Sequence, residues 1–102
     1  MRVAGDVMRV MLPKNFHKDS VCSIKTLFIP AENLSGDLYG LDARKERVLI
    51  WLCDVTGHGL AASLVASVIR ESIALMKEKY IFGKKPDPAT LLYKISKTVR
   101  EA

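Results

Sequence analysis

The run Val48 to Cys53 is the longest unbroken apolar stretch in the chain, and it ends abruptly in Asp54-Val55-Thr56-Gly57-His58-Gly59. An apolar strand without alternation is one covered on both faces, so this segment is expected to be a central strand. A carboxylate at the end of such a strand costs free energy unless it is paired, hydrogen-bonded or bound to a cation. Asp54 therefore needs a partner.

The flanking sequence suggests where that partner sits. Leu38 to Leu41 reads as a strand after a Ser35-Gly36 turn, and the charged stretch Asp42 to Arg47 makes the connection of a hairpin. Upstream, Val21 to Ile29 is rich in β-branched and aromatic residues and stops at Pro30, which predicts another strand. Downstream of the glycine-rich turn, apolar residues recur at Leu60, Leu64 and Val68 and at Ala61, Val65, Ile69, Ile73 and Met76. That is the wide stripe of a long helix packed on a sheet, ended by Lys77, Lys79 and Gly83. Asp87 followed by Pro88 is a cap with a first-turn proline, and Leu91, Leu92, Ile95 and Val99 give a second amphipathic helix. Val3, Val7, Val10 and Met11 recur at helical spacing until Pro13, so residues 1–12 read as the end of a linker helix with an element upstream. Helix, three strands in a meander and two helices make an α+β chain whose sheet has one bare face.

At 102 residues the chain is one domain or less. With 49% hydrophobic and 26% charged residues it must form a core, which excludes disordered and low-complexity classes. No unbroken run approaches the ~20 apolar residues of a membrane span, and nothing resembles a secretory signal, so a cytoplasmic protein without a membrane partner is expected. Two cysteines cannot build a disulfide framework; Cys22 and Cys53 read as buried, inert thiols. Trp51 and the methionines Met1, Met8, Met11 and Met76 are accounted for by packing. The formal charge of +5 is spread over loops and helix ends at Lys14, Lys18, Lys45, Lys84, Lys85, Lys94 and Lys97 without interleaved aromatics. Nucleic acid is therefore not an expected partner, although a basic field would attract an acidic or phosphorylated protein.

If the two strands are hairpin partners, Asp37 and Asp54 converge at one edge of the sheet. Hard divalent cations such as Mg²⁺ or Mn²⁺ choose oxygen ligands in this setting, commonly one or two carboxylates with waters retained. The alternative is that Asp37 supports a turn and Asp54 caps the next helix. Gly57 and Gly59 favour the first reading, because they let backbone pass close to a ligand beside a helix N-terminus.

"PAENLSGDLYG" (30–40) followed by "LIWLCDVTGHGLAASLV" (49–65), with "MLP" (11–13) upstream, resembles the metal-dependent PPM-type serine/threonine phosphatases. The branch is the bacterial one, similar to the sporulation phosphatase E and stress-response sigma regulators. The resemblance implies a four-layer α-β-β-α sandwich of antiparallel sheets holding two Mn²⁺ or Mg²⁺ ions. On that reading residues 13–102 are the N-terminal part of a phosphatase domain. Asp37 would ligate one ion, directly or through water, Asp54 would bridge both, and the Val55 carbonyl would fill a further position. A water held between the cations would attack phosphorus in line with the leaving seryl oxygen. The substrate would be a phosphoserine on a regulatory protein such as an anti-sigma-factor antagonist, under the control of an upstream sensor domain.

The chain departs from the pattern in two places. The Thr-Asp-Gly turn and the later paired aspartate that complete the second metal site are absent, so this polypeptide is expected to be inactive or nearly so. Eukaryotic relatives carry a histidine two positions after the bridging aspartate, where this chain has Thr56; His58 is read instead as ordering a helix N-terminus, and His17 as surface. A non-catalytic, phosphatase-like interaction module is the alternative function. A half sandwich with a bare sheet face should also form a dimer or a swapped assembly.

Overall fold

Alternating side-chain burial defines the longer of two hairpins. In the computed structural model, which describes residues 16–18, 22–29, 36–44, 46–57 and 59–101, strand β3 (Asp37–Ala43) pairs antiparallel with β4 (Val48–Asp54). Residues directly opposite each other share a face. Leu38 with Cys53, Gly40 with Trp51 and Asp42 with Leu49 turn inward, while Asp37 with Asp54, Tyr39 with Leu52 and Leu41 with Ile50 turn outward. A second pair, β1 (Phe16–Lys18) and β2 (Ser23–Lys25), forms its own antiparallel sheet. The chain is α+β, with helices α1 (Gly59–Tyr80) and α2 (Pro88–Glu101) following β4.

The expected three-stranded meander is thus two separate two-stranded sheets among the described residues. Among the described residues of the predicted strand 21–29, Ser23–Lys25 is the part that pairs in a ladder, and its partner is the short β1, which shows no period of its own. Nor is β4 central or covered on both faces. Ile50 is 56% and Leu52 85% exposed, because the helices cover one side of the hairpin and no further strand lies beside it among the described residues. The predicted linker helix over residues 1–12 lies outside the described residues.

Two apolar clusters hold the helices on the sheet. Leu38 and Ala66 pack with Trp51, Cys53 and Val55; Ile73, Ile81, Leu91 and Ile95 pack with Leu49, Trp51, Ile69, Met76 and Val99. The face that α1 buries is narrower and smaller than its sequence suggests. Ala62, Ser63, Ala66, Ser72 and Ile73 are buried, whereas Leu60, Leu64 and Leu75 are exposed. Small side chains let the helix axis approach the sheet, and the buried serine hydroxyls satisfy themselves by donating to carbonyls one turn back, Ser63 to Leu60 (2.8 Å) and Ser72 to Val68 (2.8 Å). A helix apolar around most of its girth gives periodicity nothing with which to choose a face. By length and composition α1 could cross a membrane, a property that a search for unbroken runs misses because serines, Arg70 and Glu71 interrupt it.

The cap of α2 forms as its sequence predicts. Asp87 accepts from the Thr90 backbone N–H (3.1 Å) and hydroxyl (2.6 Å), which holds its carboxyl below the usual carboxylate range. A lowered value means that the cap stabilises the fold above the ordinary carboxylate range and is lost as pH falls through the lowered one. Asp87→Ala is therefore expected to lower the thermal midpoint at pH 7, with the two melting curves converging well below about pH 4. Of the predicted α2 stripe, Leu91 and Ile95 are buried, Val99 is half-buried and Leu92 faces solvent.

Candidate functional site

Asp37 opens β3 and Asp54 closes β4, so antiparallel register alone sets them opposite one another on the outward face. Their carboxyl groups are close enough to share a hydrogen bond. That bond, some desolvation and the charge of Asp54 raise the Asp37 carboxyl above its ordinary value. Two carboxylates facing each other at an exposed strand end repel when both are ionised, and a cation between them removes the penalty.

The backbone around the pair is pinned. The Val55 N–H donates to the Gly36 carbonyl (3.1 Å), extending the ladder one step past Asp54. A Cβ at Gly36 would lie 2.8 Å from the Val55 carbonyl oxygen and 3.1 Å from the Ala62 Cβ, so only glycine admits this approach of β3 to the chain leaving β4. The sequence marked Gly36 as a turn residue and gave no sign of that contact. Gly57 and Gly59 both adopt positive φ (98° and 78°), as the turn from β4 into α1 requires.

Cys53 points to the opposite face from Asp54. Burial, then the charges of Asp37 and Asp54, push its thiol up, so it stays protonated, although Cys53 and Cys22 are half-buried and not buried as the sequence suggests. Both cysteines are free thiols. Tyr39, one rung inward from Asp37 on the outward face, is held by a hydrogen bond between its hydroxyl and that of Thr26 (2.9 Å) and by the Phe28 ring at 6.1 Å. His58 and the side chain of His17 lie outside the described residues.

Among the described residues no group of three or more His, Cys, Asp or Glu side chains comes together. Asp37, Asp54 and the Val55 carbonyl suit one hard cation with waters completing its shell; they are too few to hold two. The chain is 26% identical over 101 residues, 99% of its length, to the phosphoserine phosphatase RsbU of Bacillus subtilis (strain 168). It spans 29% of that protein's length. No family model and no solved structure matches the chain.

Proposed function

We propose that this chain carries part of the metal centre of a PPM-type protein serine/threonine phosphatase, and that residues 13–102 form the N-terminal part of its catalytic domain. The observation that supports this most directly is the Asp37–Asp54 pairing across β3 and β4, with similarity to a phosphoserine phosphatase along almost the whole chain. Asp37 would bind one cation directly or through water, Asp54 would bridge two, and the Val55 carbonyl would complete the contribution of this segment. Bound Mn²⁺ or Mg²⁺ supplies neutralisation of phosphoryl charge and an activated water. The remaining donors come from residues beyond these, so the 102-residue chain alone turns over little. The substrate is a phosphoserine on a bacterial regulatory protein such as an anti-sigma-factor antagonist, the setting is cytoplasmic, and an upstream sensor domain governs activity.

Phosphate release from a phosphoserine protein by a chain containing these residues and the missing donors should depend on Mn²⁺ or Mg²⁺ and vanish with chelator. Activity indifferent to chelation would remove this reading. A second reading, a phosphatase-like module that binds partners without chemistry, is favoured by the small number of metal donors among the described residues. It predicts no phosphate release from a phosphoserine protein even by a chain that carries the full donor set with saturating Mn²⁺.

The outward face of the hairpin bears on assembly. Ile50 and Leu52 are exposed there, and among the described residues no further strand pairs with the hairpin, a combination that invites pairing. The 102-residue chain is accordingly expected to sediment as a dimer or swapped assembly, and a monodisperse monomer across the micromolar range would count against it.

A further inference from the structure

Three glycines lie in the chain beside Asp37 and Asp54, and they are needed for different reasons. Gly57 and Gly59 adopt positive φ, and a Cβ built on either would meet nothing within 4 Å. Conformation selects glycine there. Gly36 is the reverse case, because it is buried and its φ lies outside the left-handed region, so any residue could adopt its backbone. At 36 glycine is selected by space alone.

What fills that space is specific. A Cβ at Gly36 would lie 2.8 Å from the Val55 carbonyl oxygen, 3.0 Å from the Val55 Cβ and 3.1 Å from the Ala62 Cβ. The nearest of these is a backbone atom with no rotamer to change, so an added methyl must shift the chain itself. The Gly36 carbonyl meanwhile accepts from the Val55 N–H (3.1 Å) and from the Cys53 thiol (3.9 Å). Residue 55 is therefore held at its N–H by a hydrogen bond and at its carbonyl by close contact, both from Gly36. Its side chain packs with Leu38 and Ala66, and Ala62 is buried on the same helix. Strand β3, the chain leaving β4 and α1 together locate one carbonyl oxygen.

We infer that Gly36 is a positioning residue for a divalent cation, its bare α-carbon setting where the Val55 carbonyl oxygen stands relative to Asp37 and Asp54. This rests on the metal-site reading of the two aspartates, and it adds a residue whose own carbonyl is committed to Val55 and Cys53. Asp37 follows Gly36 and Asp54 precedes Val55, so a shift at the 36–55 contact also alters the separation of the carboxylates. Charge is unchanged by such a shift; only geometry suffers. Mg²⁺ demands oxygens at about 2.0–2.1 Å in a near-octahedral array, whereas Ca²⁺ accepts about 2.3–2.6 Å in flexible geometry. Misplacement should thus penalise Mg²⁺ more than Ca²⁺.

The test is titration of the 102-residue chain with Mg²⁺ and with Ca²⁺, followed by amide chemical shifts. Gly36→Ala is expected to weaken Mg²⁺ binding about tenfold and Ca²⁺ binding by clearly less. Gly83→Ala is the control. Gly83 is equally crowded, by the Lys79 carbonyl oxygen at 2.7 Å, and its own carbonyl accepts, with those of Ile81 and Lys84, from the Arg47 guanidinium at the other end of the hairpin. That substitution should lower the thermal midpoint while keeping both affinities within about twofold of the native chain. If Gly36→Ala does not give the native pattern of amide shifts, Ala62→Val crowds the same space from α1 and carries the same expectation. Unchanged Mg²⁺ affinity in the folded variant would overturn the inference, and so would equal losses of Mg²⁺ and Ca²⁺ shared by Gly83→Ala. A native chain that binds neither cation would instead remove the metal-site reading beneath it.

Discussion

Asp54→Asn is expected to lower Mn²⁺ affinity by about a hundredfold or more, measured by calorimetry on the 102-residue chain, and to abolish metal-dependent phosphate release wherever the full donor set is present. The amide keeps the shape of the carboxylate and removes the charge that attracts the cation. Without metal the same substitution should act in the opposite sense. Asp37 is held above its ordinary value by its hydrogen bond to Asp54, by slight desolvation and by repulsion from Asp54. A raised folded-state value means that the contribution of the Asp37 proton is fully present below the ordinary carboxylate range and lost as pH rises through the raised value. At pH 7 the metal-free carboxylates repel one another weakly, because both are exposed and screened by solvent, and the substituted amide relieves this by offering Asp37 an N–H donor. The thermal midpoint of the metal-free variant should exceed that of the native chain at pH 7, and the difference should close on acidification. A variant less stable than the native chain at pH 7 would show that the carboxylates do not oppose one another.

The second large effect is on stability. Gly40 lies directly opposite Trp51 on the inward face, and the indole lies over its Cα so closely that an added Cβ would overlap the ring. Gly40→Ala must displace Trp51, which packs against both apolar clusters. Overpacking of this kind costs roughly 1–3 kcal/mol, and loosening both clusters at once places the expected loss near the upper end. Urea unfolding should show a lower midpoint. Pairing Gly40→Ala with Trp51→Leu should cost less than the two substitutions summed, because the smaller side chain vacates the space; strict additivity would mean that the two residues do not compete for it.

Much of this was legible in the sequence, for local reasons. The hairpin, the length of α1 and the Asp87-Pro88 start of α2 rest on neighbours a few positions apart, and the structure reproduces them with small shifts at their ends. The juxtaposition of Asp37 and Asp54 followed from the same reasoning, since a hairpin with a short connection pairs the start of one strand with the end of the other. What failed was information carried by partners distant in sequence. The apolar run of β4 implied cover on both faces, but Ile50 and Leu52 face outward because no third strand pairs with the hairpin among the described residues. The expected face of α1 held at Ile69, Ile73 and Met76 but failed in its first turns, where Ala62, Ser63 and Ala66 are selected by the depth left beneath the helix, not by hydrophobicity. The roles of Gly36 and Arg47 depend on contacts 19 and more positions away and leave no periodic trace.

Trp51 is the single tryptophan of the chain, and it is wedged where the two clusters meet. Its intrinsic emission therefore monitors both halves of the molecule at once. If the α1–α2 end and the hairpin end melt together, that emission and the far-ultraviolet helix signal will trace one superimposable transition. Should the indole redden before the helices unwind, the boundary between the clusters is where the molecule first comes apart.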